Sequence, residues 1–305
     1  MTKGTPHISH YLPILLVTLI WGSMGIISTC ALEEFSPIAV LCLRSGVGAL
    51  ILFPFARLHG GAVIPAKEDR VLLAILAVVG VVLCNYLYFY ALQHTLLTNV
   101  AIIYAFGPII TALLAAIFLK EAIRQSRTIG MLLAFAGVVI LLTDGHPTQG
   151  VLISFDKGNF AELLSAACLA VYTILSKRVK NTPIECVVFW LMTISFFITL
   201  PMAYLLDGGI NLRASPKAWL AILYLGVLCS GFGYLLQQKS IKTIGAASSS
   251  AFLNGISPIT ILSAAIFLKE PVTAAQIVCM LVIFAGVFLN AANKTLLWRR
   301  KNGTL

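Results

Sequence analysis

Two ionisable side chains stand alone inside long apolar stretches of this chain. Arg44 lies eight residues into one stretch, and Glu162 lies one turn inside another. An ionised group costs at least ~2.5 kcal/mol at the centre of a membrane-spanning helix, so both residues are candidate functional groups. The planar fork of Arg44 suits a carboxylate or phosphate. The alternative is that Arg44 caps carbonyl groups of a neighbouring helix or extends toward one membrane face.

Glu162 is the candidate for proton coupling. A carboxylate at this depth can carry a proton across a membrane. The alternative is structural, since the N-terminus of a helix favours a negative charge in its first turn.

Amide, hydroxyl and aromatic side chains provide further polar positions inside the apolar stretches. Asn85 and Phe89 share one face of a helix, and so do Ser250 and Asn254. Inside a helical bundle such faces line binding cavities, although they also join helices or form aromatic belts at the membrane surface. The predicted binding residues are Trp21, Arg44, Asn85, Phe89, Tyr172, Tyr234, Gln238, Ser250 and Asn254.

Catalytic chemistry finds no support in the sequence. There is no Gly-x-x-x-x-Gly-Lys-Ser/Thr phosphate loop and no His-Glu-x-x-His motif, and all five histidines lie in tails, loops or the ends of apolar runs. The seven cysteines occur singly, with no Cys-x-x-Cys pair. We therefore expect no enzyme activity, no catalytic residues, no metal and no cofactor.

The composition is that of a membrane protein. The 305 residues are 59% hydrophobic and only 10% charged, with a mean hydropathy of +0.97. A membrane-spanning helix needs about 20 mostly apolar residues. We interpret the first such run as an uncleaved span rather than a signal peptide. The ten predicted spans, numbered in chain order, are 11–29, 36–56, 71–92, 98–119, 128–143, 158–177, 184–206, 216–237, 246–268 and 272–293.

The distribution of positive charge predicts the orientation of the spans. With the N-terminus in the cytoplasm, 16 Lys and Arg residues fall near the cytoplasmic face, four fall outside, and Arg44 lies within a span. This bias follows the positive-inside rule and places both termini inside. It also explains the net charge of +10 without nucleic-acid binding, which we exclude.

Two segments of the chain are nearly the same. Residues 118–142 and 267–291 align without a gap at a spacing of 149 residues, and ten of the 25 positions are identical. The duplication predicts two five-span repeats, 1–145 and 146–305. An odd number of spans in each repeat inverts the second copy, which has Thr273 and Gln276 in place of Arg124 and Arg127 of the first. The prediction is an all-α membrane protein with ten transmembrane helices in two inverted repeats.

Proline occurs at equivalent places in spans 4 and 9. Pro108 and Pro258 each precede a Phe-Leu-Lys-Glu sequence by about ten residues. Proline within a helix removes one backbone hydrogen bond and bends the helix. We predict that both prolines act as hinges in elements that face a cavity; the alternative is a packing kink without function.

The combination of motifs resembles a known family. Trp21-Gly22-Ser23 in span 1, the lone Arg44, Gly-Pro and Ser-Pro in spans 4 and 9, and the paired Leu-Lys-Glu and Phe-Ala-Gly-Val sequences resemble EamA-type members of the drug/metabolite transporter superfamily. The resemblance implies ten helices, in which spans 1, 3, 4, 6, 8 and 9 surround a substrate cavity and spans 5 and 10 pack away from it. The chain departs from the pattern in having no Arg in span 7 and in carrying Asn254.

The sequence therefore predicts a secondary transporter of the inner (plasma) membrane that works by alternating access. The resemblance implies export of small metabolites such as amino acids or their derivatives. The alternative is an importer or exchanger of a larger anionic metabolite, such as a nucleotide or cofactor-like compound. The expected partners are a small-molecule substrate and the lipid bilayer, and the sequence does not decide whether the chain forms a homodimer.

Overall fold

The computed structural model describes residues 11–59, 63–119 and 156–270, followed by positions 272, 274, 277, 278 and 281. Within these ranges the chain is helical, with short connections and no strand. Span 5, the Lys120-Glu121 pair and nearly all of span 10 lie outside the described residues. Seven helices are long and apolar enough to cross a membrane. They are Leu12–Leu32, Pro37–Leu58, Lys67–His94, Leu97–Phe118, Lys157–Ser176, Ile184–Asp207 and Pro216–Ile244.

These helices coincide with predicted spans 1 to 4 and 6 to 8. Span 9 consists of two shorter pieces, Ala246–Leu253 and Ile256–Leu268. Large apolar side chains such as Leu50 and Leu205 are 76% and 82% exposed, whereas Arg44 and Glu162 are 1% and 0% exposed. An apolar exterior around a partly polar interior is the arrangement that a lipid environment requires.

Connections cluster at two ends of the bundle. At the first, called the Glu34 end, the Glu34 carboxylate accepts hydrogen bonds from the Ser215 N–H and hydroxyl, and Thr95 donates to Asn159 Oδ1 over 2.9 Å. One surface depression joins Glu33 to His94 at this end. Span 6 therefore begins at the end of the bundle where spans 1 and 3 finish.

The opposite end is rich in lysine and is called the Lys180 end. Lys177, Lys180 and Lys242 line one open groove there. Close by, the Asp69 carboxylate accepts hydrogen bonds from the Asn181 N–H over 3.0 Å and from the Thr182 hydroxyl over 2.8 Å. These contacts join the connection between spans 2 and 3 to the one between spans 6 and 7.

Contacts between the two halves of the chain are reciprocal. Span 3 packs on span 6, and the equivalent pair, span 8 and span 1, is also in contact. Span 2 packs on span 8, and the equivalent pair, span 7 and span 3, is in contact as well. Spans 2 and 7 lie against each other, with the hydroxyl groups of Ser45 and Ser195 3.0 Å apart. Reciprocal contacts of this kind are those of a two-fold arrangement.

Spans 3 and 8 each contain a π-helical segment at an equivalent position. The segments are Ala77–Leu83 and Leu225–Gly233. A Cβ at Gly80 would lie 2.1 Å from Tyr172 Cδ2, and a Cβ at Gly233 would lie 2.4 Å from Trp21 Nε1. Each segment is therefore pressed against an aromatic ring of the other half of the chain. Short π segments inside α-helices are frequent at functional sites.

Spans 4 and 9 are interrupted immediately before their prolines. Turns at residues 105–106 and 254–255 separate the two pieces of each span. The second pieces begin at Gly107 and Ile256, so Pro108 and Pro258 occupy the first turn of a new helix. There a missing N–H removes no intrahelical hydrogen bond. Each span is therefore interrupted by a turn before its proline. No loss of a hydrogen bond at the proline bends the helix.

Candidate functional site

A narrow cavity lies in the centre of the bundle, between the two π segments and the interrupted helices. Its volume is about 40 Å³, measured as the space open to the centre of a water-sized sphere. One water needs roughly 10–15 Å³ on this measure, so the cavity holds about three waters. Its walls come from spans 1, 2, 3, 4, 6, 8 and 9. The lining residues are Trp21, Met24, Arg44, Cys84, Asn85, Tyr88, Val100, Ala101, Tyr104, Ser165, Leu169, Tyr234, Ile256 and Thr260.

Arg44 is the positive charge in the wall of this cavity. Its Nε donates to Ser230 Oγ over 2.8 Å, and its Nη1 donates to Asn85 Oδ1 over 2.9 Å. The Met24 sulfur lies 3.8 Å from Nη1, and the Phe89 ring lies 5.5 Å from Cζ. These partners are side chains of spans 1, 3 and 8; among the described residues the buried guanidinium bonds to no helix carbonyl. Its orientation is fixed by two hydrogen bonds and an aromatic ring.

The Arg44 guanidinium keeps unused binding capacity. Arginine has five N–H donors, and the bonds just described employ only Nε and Nη1. Nη2 has no hydrogen-bond partner, and no Asp or Glu forms an ion pair with Arg44, among the described residues. A buried charge without a partner is unfavourable. The cavity is therefore suited to an anionic group that approaches Nη2.

Asn85 and Tyr234 hold this arginine in place through the π segment of span 3. Asn85 Nδ2 donates to Val81 O over 2.8 Å and to the Tyr234 hydroxyl over 2.9 Å. The Tyr234 hydroxyl donates to Gly80 O over 3.1 Å. These bonds leave the Asn85 carbonyl oxygen directed at Arg44. Asn85 and Tyr234 are 149 residues apart, the spacing of the sequence duplication.

Aromatic rings form the apolar part of the site. The Trp21 and Tyr234 rings meet edge to face at 5.3 Å, and the Tyr172 and Tyr234 rings do so at 5.7 Å. The Trp21 indole N–H donates to Cys229 O over 3.2 Å. Tyr172 is fully buried and supports Tyr234 from behind, outside the cavity lining.

Glu162 lies immediately behind the cavity wall. It is completely buried, and neither carboxylate oxygen has a hydrogen-bond partner among the described residues. Ser165, one turn further along the helix, lines the cavity, and its hydroxyl donates to Cys84 O over 3.0 Å. A carboxyl group without partners in such a place is a candidate proton carrier.

The predicted binding residues divide into those that line the cavity, those one layer behind it, and the two residues of span 9 described in the next paragraph. Trp21, Arg44, Asn85 and Tyr234 line the cavity. Phe89, Tyr172 and Gln238 lie one layer behind it: Phe89 is under the Arg44 guanidinium, and Gln238 Nε2 donates to the Tyr172 and Ser176 hydroxyls over 2.8 and 3.0 Å.

Two predicted residues in span 9 do not reach the cavity lining. Ser250 is buried, and Asn254 lies at the interruption of the span with its Oδ1 buried and without a partner in the ranges that the structure describes. Of the predicted hinges, Pro258 is buried in the helix that carries the cavity residues Ile256 and Thr260. The side chain of Pro108 lies outside the described residues.

Several cavity residues escaped the sequence interpretation. Tyr88 lies three residues after Asn85, on the same helical face, so the spacing alone could have identified it. Tyr104 follows Val100 and Ala101 in an apolar run, and its buried hydroxyl has no partner within the described part of the chain. Thr260 donates to Gly22 O over 2.9 Å. No pattern in the sequence separates these two residues from ordinary core positions.

The side chains that line the cavity are suited to binding a ligand rather than to catalysis. The polar lining consists of one guanidinium, one carboxamide, one thiol, one indole N–H and hydroxyl groups. No cluster of three or more His, Cys, Asp or Glu able to hold a metal ion occurs in the described ranges. A carboxylate fits best, because Arg44 offers directional donors and the remainder of the wall is apolar and aromatic.

Comparison with known proteins identifies the family. The model of the EamA-like transporter family matches residues 8–143 and again 156–292. The uncharacterized transporter YyaM of Bacillus subtilis is 26% identical over 287 residues, 92% of this chain and 93% of the relative. A probable terminal-alkyne amino-acid exporter of Streptantibioticus cattleyicolor is 24% identical over 295 residues, 95% of each chain.

A solved structure has the same fold. A chain described only as "Crystal structure of protein" superposes with a TM-score of 0.73 at 19% identity, covering 97% of this chain and 99% of that chain. The family and its relatives are transporters, not enzymes. The apolar exterior, the membrane-spanning helices and the two family matches lead to one conclusion: this chain is a multi-pass membrane protein of the EamA-like transporter family.

Proposed function

We propose that this protein is a secondary transporter that exports a small carboxylate-bearing metabolite, such as an amino acid or a derivative of one, across the inner membrane by alternating access. The observation that carries the proposal is the buried Arg44 in the central cavity, with Nη2 unpartnered and no acidic partner among the described residues. A substrate carboxylate supplies the missing negative charge.

Two inverted repeats, 1–145 and 146–305, are the proposed basis of alternating access. Three observations support the inversion. The family model matches each half separately, span 6 begins at the end of the bundle where span 1 finishes, and the contacts between halves are reciprocal. On this proposal spans 5 and 10 complete a bundle of ten helices.

The proposed orientation puts the Lys180 end in the cytoplasm. Lys177, Lys180 and Lys242 lie at that end, and the positive-inside rule assigns lysine-rich connections to the cytoplasmic side. Both termini are then cytoplasmic, and the Glu34 end faces outward. The inner (plasma) membrane is the proposed location.

The interruptions of spans 4 and 9 are the proposed hinges. Val100, Ala101 and Tyr104 precede one interruption, while Ile256 and Thr260 follow the other, and all five residues line the cavity. Movement of one piece relative to the other at Pro108 or Pro258 therefore changes the cavity wall directly. Discontinuous helices beside a central site are typical of transporters that alternate access.

The substrate class follows from the size and charge of the cavity. A volume of about 40 Å³ and a single described cation favour a compact substrate with one anionic group over a nucleotide. The name of the Streptantibioticus relative refers to export of an amino acid, which supports this class and this direction.

Counterflow in proteoliposomes tests the proposal. Vesicles loaded with an unlabelled compound are diluted into a medium that contains the same compound in labelled form. The compounds tested in this way are amino acids, amino-acid amides, organic acids and nucleotides. The proposal predicts transient accumulation of at least one compound with a free carboxylate and weaker accumulation of the matching amide. The Arg178→Ala variant, which alters an exposed arginine at the Lys180 end, should accumulate the same compounds as the wild type. Accumulation of nucleotides alone contradicts the proposal and supports the larger-anion alternative.

A further inference from the structure

The Lys180 end carries a groove, called the lysine groove, whose positive charge is not balanced by acidic side chains. Lys177, Lys180 and Lys242 line it, and its volume is about 600 Å³. Ligand clefts in proteins typically measure roughly 300–1,000 Å³. Among the described residues, no Asp or Glu lines this groove, and none forms an ion pair with Lys180 or Lys242. The lysine groove is therefore large enough to hold a ligand, and its charge attracts anions.

Helix termini account for only part of this charge. Lys177 and Lys242 lie at the C-terminal ends of spans 6 and 8, where a positive charge balances the helix dipole. Lys180 lies outside any helix, in the connection between spans 6 and 7. Lys239, three residues before Lys242, has an acidic partner, because its Nζ lies 3.6 Å from Glu185 Oε1. The meeting of three lysines from two separate parts of the chain in one groove therefore needs a further explanation.

The lysine groove is separate from the central cavity. No residue lines both. The buried part of the groove lining includes Val179 and Ile241. Ile241 packs with Ala115, Ile174 and Ala246 in an apolar cluster contributed by spans 4, 6, 8 and 9. A ligand in the lysine groove is therefore bound at the surface of the bundle and not at the site assigned to the substrate.

The lysine groove lies at the boundary between the membrane and water. Span 6 ends at Ser176 and span 8 ends at Ile244, and the three lysines lie within four residues of those ends. Thr243 also lines the groove, and Leu236 lies two turns deeper on the same face of span 8. Phe232 lies one further turn toward the middle of the span, and both apolar side chains are partly exposed. An anion that carries an apolar chain therefore fits this place better than a free anion.

We propose that the lysine groove binds the phosphate headgroup of an anionic phospholipid, whose acyl chains lie along Leu236 and Phe232 of span 8. Each lysine ammonium group has three N–H donors on a long stem that extends to the membrane surface. Basic pockets between membrane-spanning helices bind acidic headgroups in this way. The site goes beyond the proposed function and does not depend on it, because the ligand is a component of the membrane and not the transported compound.

The bound lipid joins two connections of the second half of the chain. Lys180 belongs to the connection between spans 6 and 7, whereas Lys242 and Ser248 lie on either side of the connection between spans 8 and 9. A phosphate group held by both connections keeps the first piece of span 9 against the end of span 6. Because the unfolded chain lacks this arrangement, lipid binding should stabilise the folded protein.

Thermal unfolding of the purified full-length protein in a neutral detergent tests the site. Short-chain phosphatidylglycerol is the probe, and phosphatidylcholine with the same chains and inorganic phosphate are measured beside it. The unfolding midpoint of the wild type should rise with phosphatidylglycerol until the site is saturated, and it should change little with the other two compounds. The absence of a rise, or an equal rise with phosphatidylcholine or inorganic phosphate, overturns the proposal.

Two variants with the same change in charge separate the lysine groove from the general positive charge of the Lys180 end. One removes the lining lysines: Lys177→Gln/Lys180→Gln/Lys242→Gln. The control removes three exposed cations of the same end that do not line the groove: Arg57→Gln/Lys67→Gln/Arg178→Gln. The first variant should raise the half-saturating concentration of phosphatidylglycerol roughly 100-fold, about fivefold for each lysine, and the control should raise it less than about fivefold. Equal values for the two variants overturn the assignment of the groove.

Native mass spectrometry gives a second readout that needs no unfolding. The wild type and the control should retain a bound phosphatidylglycerol molecule after release from detergent, and the groove variant should lose it. Retention by a folded groove variant contradicts the proposal. If the triple variant does not fold, Lys180→Gln alone should still raise the half-saturating concentration about fivefold. Neither experiment measures transport, so a failure here leaves the proposed function standing, and a failure of counterflow leaves the lipid site standing.

Discussion

Replacement of Gly80 by alanine tests how closely the π segment of span 3 packs against Tyr172. A Cβ at Gly80 would lie 2.1, 2.5 and 2.7 Å from Tyr172 Cδ2, Cγ and Cβ. The Tyr172 Cβ is attached directly to the backbone and cannot rotate away, so the two helices must separate. Overpacking of this kind costs about 1–3 kcal/mol. The shift also moves the Gly80 carbonyl, which accepts the Tyr234 hydroxyl, so transport should fall together with stability.

The matched control is Gly107→Ala. The nearest atoms to a Cβ at Gly107 are Ala166 Cβ and O at 3.8 and 3.9 Å, which is ordinary van der Waals contact. Alanine should therefore fit and stabilise the helix by roughly 0.5–1 kcal/mol through the lost flexibility of glycine. Thermal unfolding in one detergent, followed by circular dichroism, compares the two variants with the wild type. Equal midpoints for Gly80→Ala and Gly107→Ala would refute the packing argument.

Two further predictions concern the Glu34 end. Glu270→Gln should destabilise the protein by about 1 kcal/mol in thermal unfolding. The reason is that the Glu270 carboxylate accepts hydrogen bonds from the Leu97 and Thr98 N–H groups over 3.0 Å each at the start of span 4. An unchanged unfolding midpoint contradicts the role of Glu270 as a cap of span 4. Hydrogen bonds from Ser215 hold the pKa of Glu34 below its ordinary value. A lowered pKa contributes stability above the pKa of the unfolded chain and loses it as pH falls through the folded-state pKa. The acid decline of the unfolding midpoint should be weaker in Glu34→Gln, and an identical decline would exclude the contact.

The positions of the seven long spans in the described residues were predictable from the sequence because lipid imposes a simple rule. Runs of about 20 apolar residues must form helices whose backbone groups are paired internally. Predicted span 7, 184–206, corresponds to Ile184–Asp207, and predicted span 6, 158–177, to Lys157–Ser176. Spans 4 and 9 were exceptions, since they divide at residues 105–106 and 254–255 although their apolar runs continue.

The π segments were not predictable. Residues 77–83, Ala-Val-Val-Gly-Val-Val-Leu, have the composition of any apolar helix. What distinguishes them is tertiary: Tyr172 presses on Gly80, and the Gly80 and Val81 carbonyls accept side-chain hydrogen bonds. No local pattern contains this information.

The candidate site was predictable only where a residue was unusual for its surroundings. Arg44 was identifiable because a charge in an apolar run needs an explanation. Tyr104 was not, because a tyrosine among apolar residues is ordinary. Gln238 shows the opposite limit: its polarity indicates the bundle interior, yet its amide donates to Tyr172 and Ser176 behind the cavity wall. Polarity identifies the inside of a bundle but not the layer in which a side chain lies.

The most direct test of the central claim is the preference for an amino acid over its amide in wild-type protein and in Arg44→Lys. Lysine keeps the positive charge but has no planar fork, so one ammonium nitrogen must replace the separate nitrogens that bind Ser230 and Asn85 and present a donor to a carboxylate. A charge-assisted hydrogen bond contributes about 1.5–3 kcal/mol, so the half-saturating concentration for the acid should rise by roughly 10- to 150-fold.

Size-exclusion chromatography of each variant separates loss of binding from loss of folded protein. In folded Arg44→Lys, we predict that the half-saturating concentration rises for the amino acid and stays unchanged for the amide, so that the preference disappears. A folded variant that keeps the wild-type preference would contradict the assignment of Arg44 as the group that binds the substrate carboxylate.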